Sequence, residues 1–201
     1  MSVLVGKKCP DFTAAAVMPD GEIVDNFKLS DYFKGSYGVV FFYPLDFTFV
    51  CPSEILAYSH RAAKLKELNT KIVSVSVDSE FTHNAWRNTP VNEGGLGPVE
   101  FPMVADKTKQ IARDFDVLIE DAGVALRGTF LINKEGVVWH QLVNNLPLGR
   151  NADEIVRLVE ALQFHEEHGE VCPAGWQKGQ AGMKPDAAGV ASYLSEHADA
   201  L

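Results

Sequence analysis

The period of hydrophobic and polar positions changes several times along the chain, and each change marks an element. From Tyr37 to Tyr43 the run YGVVFFY is continuously apolar and rich in β-branched and aromatic residues, the pattern of a strand buried on both faces of a sheet. This predicts a central strand. Pro44 to Val50 then reads as a loop. From Pro52 to Leu68, Ile55, Ala62 and Leu65, with Tyr58 and Leu68 beside them, recur at helical spacing, and Asn69 is the stop. Lys71 to Val77 (KIVSVSV) alternates as a strand does, so the segment forms a β-α-β unit with a right-handed crossover and parallel strands. Cys51 then lies just beyond a strand's carboxyl end.

Further along, the pattern predicts a helix near Glu80 to Asn88, a Gly-rich loop from Glu93 to Pro98, a short strand around Phe101 to Val104 and a helix from Lys107 to Phe115. Leu126 to Ile132 and Val137 to Val143 flank Asn133-Lys134-Glu135-Gly136, a polar link ending in Gly that suits a β-hairpin and makes the sheet mixed. Asn151 caps a helix with Asp153 and Glu154 in its first turn, and Ile155, Leu158, Val159 and Leu162 share one face up to His168-Gly169. After Gly169 the composition turns to Gly, Pro and Ala. The expected organisation is therefore an α/β domain over residues 1–168 followed by an arm over residues 169–201.

The 201 residues, 46% of them hydrophobic, supply one compact core without a disulfide framework or a structural metal. A formal charge of −9 repels phosphate backbones and anionic membrane surfaces, so neither nucleic acid nor membrane is expected as a partner. The apolar run from Gly38 to Pro44 is far shorter than a spanning helix, and the first residues carry Lys7, Lys8 and Asp11 without a signal-peptide core, which points to a cytoplasmic protein. Three cysteines, Cys9, Cys51 and Cys172, with no CxxC pair, fit a reducing compartment and argue against a zinc site or a disulfide isomerase. His165, His168 and Cys172 read as a helix end and an arm rather than a metal cluster. No Walker or Gly-x-Gly-x-x-Gly signature occurs.

Cys51 stands where a helix begins, with Pro52 at the favoured first helical position, so unpaired N–H groups and the positive end of the helix dipole favour an anion at its sulfur. Thr48, three residues earlier, can bring a hydroxyl to the same place. In FYPLDFTFVCPSEI, Pro44, Thr48 and Cys51 match the PxxxTxxC motif, and the sequence here resembles the peroxiredoxins. GKKCPDF, VSVD, Arg127 in LRGTFLI and VCPAGW around Cys172 extend the resemblance over nearly the whole chain.

The resemblance is to the typical two-cysteine group of the alkyl hydroperoxide reductase C type, and it implies a thioredoxin-like fold. It also implies a thiol peroxidase acting on hydrogen peroxide and organic hydroperoxides without metal, haem or flavin of its own. Cys51 is then the nucleophile, Thr48 orients the peroxide, Arg127 donates to its oxygens and Pro44 shields the sulfur. Taken alone, Arg127 reads as a solvated strand residue. Glu54, a carboxylate in the first turn of a helix, is a supporting group whose place the helix dipole explains equally well. Sequence spacing leaves open whether Cys172 meets Cys51 of its own chain or of another; the resemblance implies the partner subunit of a homodimer, with dimers assembling into a decamer. Phe47, Phe81 and Trp86 are the aromatics near loop ends that could make such contacts. The external reductant it implies is thioredoxin or a flavoprotein disulfide reductase. An oligomeric holdase or redox-regulated scaffold is the alternative reading. Gly94-Gly95-Leu96-Gly97 and Tyr193-Leu194 resemble elements of overoxidation-sensitive members, with Leu194 departing from the aromatic usual there. Cys9 reads as structural, and Trp86, Trp139 and Trp176 as core or interface.

Overall fold

The computed structural model describes residues 2–200. In chain order the first unit contains β1 (Thr13–Val17), β2 (Ile23–Lys28), α1 (Leu29–Phe33), β3 (Tyr37–Phe42), α2 (Cys51–Glu67), β4 (Thr70–Ser76), α3 (Glu80–Asn88), β5 (Met103–Ala105) and α4 (Gln110–Asp114). The strands β6 (Leu118–Ile119), β7 (Val124–Ala125), β8 (Arg127–Ile132) and β9 (Val138–Asn144) follow. Among the described residues seven strands form one sheet in the order β2-β1-β5-β4-β3-β8-β9, and β6 and β7 form a separate two-stranded ribbon. β3 pairs in parallel with β4, and β4 with β5, whereas β8 lies antiparallel to β3 and β9 antiparallel to β8. The sheet is mixed, as the hairpin at Asn133–Gly136 requires.

β3 is buried along its whole length because both faces of the sheet are covered. On one face Val40 and Phe42 join Phe115, Phe130, Val73 and Ile132 in a cluster, with the Phe42 and Phe130 rings meeting edge to face at 6.0 Å. On the other, Phe41 stacks on Tyr58 of α2 at 4.3 Å and Tyr43 lies against Trp86 of α3 at 6.1 Å. Alternation of side chains along a strand thus serves two cores at once. Gly38 has no side chain because the Phe33 ring occupies that space: a Cβ there would come within 2.3 Å of ring carbons.

The helix that follows the loop from β3 runs Cys51–Glu67, so Cys51 itself, and not Pro52 as expected, is its first residue, and Asn69 after it takes the left-handed conformation (φ 50°) that ends helices. The predicted helix from Lys107 shrinks to Gln110–Asp114: Lys109 adopts φ 62°, and the Asp106 carboxylate accepts from the N–H groups of Ile111 and Ala112, capping the helix one turn later than periodicity implies. β1, β2 and α1 lie in a stretch whose Ala-rich, irregular pattern announces no element.

Contacts divide the chain into two compact units meeting at Ala152 and Asp153. The second holds α5 (Ala152–His168), the arm and α6 (Ala187–His197), capped by Asp186. The division precedes the change of composition at Gly169 because α5 binds the arm: Arg157 donates to the Trp176 carbonyl at 2.9 Å, the Phe164 ring lies 4.8 Å from that of Trp176, and Gly182 leaves room for Phe164. No helix among the described residues is long and apolar enough to cross a membrane.

Gly38→Ala is expected to displace the Phe33 ring and cost about 1–3 kcal/mol by overpacking, read as a lowered midpoint of urea unfolding.

Candidate active site

Residues 44–50 link the carboxyl end of β3 to α2, and buried polar groups hold this loop. The Asp46 N–H donates to Asp78 at 2.9 Å, Tyr43 donates its hydroxyl to Asp46 at 2.8 Å, and His83 Nδ1 lies 2.7 Å from the other oxygen of Asp46. Burial raises the carboxyl group of Asp46, against the pull of His83, and burial together with Asp46 holds the Tyr43 phenol well above its ordinary value, so it remains a donor. Phe47 takes a left-handed backbone (φ 52°), costly for a residue with a Cβ, while its ring packs on Trp86 at 5.7 Å. Trp86 is fully buried beneath it, bonded through its indole N–H to the Gly94 carbonyl. Of the three aromatics singled out for contacts, Phe47 and Phe81 therefore face outward, and Trp86 is core.

The loop delivers Thr48 to Cys51. Thr48 Oγ1 lies 2.8 Å from the Leu45 carbonyl and 3.0 Å from Cys51 Sγ. One hydroxyl proton serves one acceptor at a time, so a sulfur anion and the Leu45 carbonyl compete for it. Arg127, the first residue of β8, reaches across with Nη1 3.4 Å from the same sulfur. Its Nε donates to the Leu146 carbonyl at 2.7 Å, which fixes the plane of the guanidinium. Cys51, although the first residue of its helix, is only 1% exposed. Pro44 is buried in the same loop, just past β3, and having no N–H it brings no competing donor.

Glu54 is the centre of this arrangement. Its Oε2 accepts from Arg127 Nη1 at 2.6 Å and Arg150 Nη2 at 2.9 Å, and its Oε1 accepts from the Arg150 backbone N–H at 2.9 Å and Nε at 2.7 Å. All four acceptor positions of the carboxylate are used. Arg150 also donates to the Gly128 carbonyl at 2.6 Å, with its guanidinium over the rings of Phe41 and Tyr58. Gly149, next to it, packs closely on the Val50 side chain, where a Cβ would stand 3.3 Å from a methyl group. Sequence reasoning named Glu54 as a supporting group and missed Arg150. The available signal was the buried face itself: a carboxylate on the packed side of α2 requires cations, and Arg127 alone cannot fill four acceptor positions.

The structure thus brings together Cys51, Thr48, Glu54 and Arg127, with Pro44 in the same loop. Cys172 belongs to the second unit, half-buried in the arm, with Sγ 3.4 Å from the Ala161 carbonyl. Burial raises its thiol, with Arg157 acting in the opposite direction. Cys9 is pushed up to about 12 by burial and by Asp11. All three cysteines are free thiols. No group of three or more His, Cys, Asp or Glu side chains among the described residues is placed to hold a metal ion.

Replacing Glu54 by Ala leaves two buried guanidiniums without their anion, and a loss of about 3–5 kcal/mol is expected in denaturant unfolding. For Cys9, whose thiolate fraction at pH 8 is about one in ten thousand given a value near 12, iodoacetamide is expected to label the site only after unfolding, as peptide mass mapping would show.

Residues 5–141 match the AhpC/TSA family, and residues 161–196 match the C-terminal domain of 1-Cys peroxiredoxin. The chain is 54% identical over 192 residues to peroxiredoxin-1 of Gallus gallus, covering 96% of each chain. It is 54% identical over 195 residues to alkyl hydroperoxide reductase C of Helicobacter pylori, covering 97% of this chain and 98% of the relative. The reduced 2-Cys peroxiredoxin of Plasmodium vivax superposes with a TM-score of 0.93 at 46% identity, over 96% of this chain and 100% of that one. The α/β architecture, with a mixed sheet flanked by helices, is the thioredoxin-like fold expected from the sequence. With its cysteine at the head of α2 and matches of this extent, the chain belongs to the AhpC/TSA family of peroxiredoxins.

Proposed function

We infer that the chain is a thiol peroxidase that reduces hydrogen peroxide and organic hydroperoxides at Cys51. The observation that carries this reading is a buried sulfur between two donors, Thr48 Oγ1 at 3.0 Å and Arg127 Nη1 at 3.4 Å, beside a cluster of two guanidiniums and one carboxylate. The two guanidiniums and one carboxylate leave one net positive charge beside a sulfur that is itself buried.

The thiolate attacks one oxygen of the peroxide. An S–O bond forms as the O–O bond breaks, and the departing oxygen leaves as hydroxide or alkoxide and takes a proton to become water or alcohol. Thr48 and Arg127 are the donors for the charge that develops on the departing oxygen, and Pro44 limits access of water to the sulfur. The Cys172 thiol then condenses with the sulfenic acid, releasing water and forming a disulfide, which an external dithiol reduces by exchange. In this reading the disulfide joins two subunits of a homodimer, and thioredoxin or a flavoprotein disulfide reductase supplies the electrons. The exposed rings of Phe47 and Phe81 are apolar surface suited to assembly of dimers into a decamer. The need for a dithiol reductant suits a reducing compartment such as the cytoplasm.

Cys51→Ser is expected to abolish peroxide consumption in fast-mixing kinetics; consumption by that variant would overturn the assignment. Arg127→Gln should lower the second-order rate about 10²–10³-fold, the effect of losing one donor to developing oxygen charge. Cys172→Ser should reduce one peroxide per subunit and stop, with no disulfide-linked dimer on nonreducing electrophoresis.

A further inference from the structure

A cavity of about 350 Å³ opens in the first unit at the end of the sheet remote from Cys51. β3 leads toward Cys51 from its carboxyl end, and the antiparallel β8 starts beside the site with Arg127. The cavity lies at the opposite ends of both strands, where Gly35 precedes β3 and the turn Asn133–Gly136 follows β8. A strand of this length spans about 20 Å, so the two places are separate. The volume falls within the range of about 300–1,000 Å³ typical of small-molecule sites.

Its inner walls are apolar. Leu29, Phe33 and Ile132 are buried side chains, and the half-buried Cys9 adds a neutral thiol. The Phe33 ring packs against Gly38 and is buried. The rim is different: Lys8, Lys34 and Lys134 line it, all exposed. Lys8 donates to the Glu135 carbonyl and Lys134 lies 4.8 Å over the Tyr37 ring, and none of the three forms a salt bridge among the described residues. Two carboxylates share the rim. Asp11 is already engaged, accepting from the N–H groups of Phe12 and Ser30 at 3.0 Å and from the Ser30 hydroxyl at 2.8 Å. Glu135 points into solvent at the hairpin turn.

On a chain of net charge −9, three ammonium groups against the carboxylates of Asp11 and Glu135 leave this rim with a net positive charge of one, and none of the three lysines is in a salt bridge among the described residues. We propose that this cavity binds a medium-chain alkyl carboxylate, with the alkyl tail against Leu29, Phe33 and Ile132 and the carboxylate at the lysine rim. The tail removes apolar surface from water, and the head group meets cations that it can pair with without entering the low-dielectric interior.

The test is calorimetric titration of the reduced full chain with octanoate, with acetate and octanol as probes of head and tail alone. Octanoate is expected to saturate at one site per chain, acetate to show no saturable binding, and octanol to bind at least about 10-fold more weakly than octanoate. The double variant Lys34→Gln/Lys134→Gln should weaken octanoate about 10-fold, as loss of two partly screened pairs would, while octanol binding and peroxide reduction stay unchanged. Absence of saturable octanoate binding at millimolar concentration would overturn the proposal, as would an octanoate affinity unchanged by the two substitutions.

Discussion

The carboxylate of Glu54, held by two guanidiniums at the point where a helix, a strand and a loop converge, is the constraint on which the site depends. Arg127 comes from the start of β8, Arg150 from the loop beyond β9, and Glu54 from the first turn of α2. A buried ion cluster is weak evidence for stability, because the cost of desolvation offsets much of the attraction. It is better evidence for geometry. Four acceptor positions filled by four donors tie the three segments together, with Arg127 Nη1 beside the sulfur of Cys51. Glu54 also supplies negative charge at the head of a helix that has no side-chain cap, a favourable place for a carboxylate.

The sulfur is positioned from its other side by the loop of residues 44–50, and that loop is fixed by a separate set of bonds. Tyr43, Asp46, His83 and Asp78 tie it to β3, to α3 and to the end of β4. The left-handed residue Phe47 then turns the chain so that Thr48 meets Cys51. Strain at one residue is tolerated because its ring finds Trp86 below it. Two independent networks, one ionic and one built on a buried Asp–His–Tyr group, thus bring the two donors to one atom.

Much of this was legible in the sequence. The run from Tyr37 to Tyr43 shows a strand buried on both faces because no polar residue interrupts it, and Cys51 followed by Pro52 shows a helix start because proline is tolerated there. The hairpin at Asn133–Gly136 could be read from its polar residues and final glycine. β1 and β2 could not, since Ala14 to Ala16 gives neither a two-residue period nor β-branched bulk, and their pairing is decided by partners elsewhere in the sheet. The helix predicted from Lys107 begins later because a carboxylate upstream, Asp106, caps it from a distance that local periodicity does not register. Arg150 was illegible for a related reason: an arginine in a loop after a polar strand looks solvated, and only the fold shows that it reaches Glu54.

The three cysteines show why residue type alone does not assign chemistry. Cys9 is desolvated beside a carboxylate, a setting that holds it as a thiol and makes it a wall of an apolar hollow. Cys172 sits in a partly exposed arm where burial raises its thiol and Arg157 opposes that shift, a setting that favours the protonated form. Cys51 is the most buried of the three, yet it alone lies within reach of both a hydroxyl and a guanidinium. Burial by itself would make Cys51 the most inert thiol in the chain. In the proposed reaction the donors would turn that same burial into an advantage, because a hydrogen bond or a cation acts more strongly on developing charge where solvent screens it less.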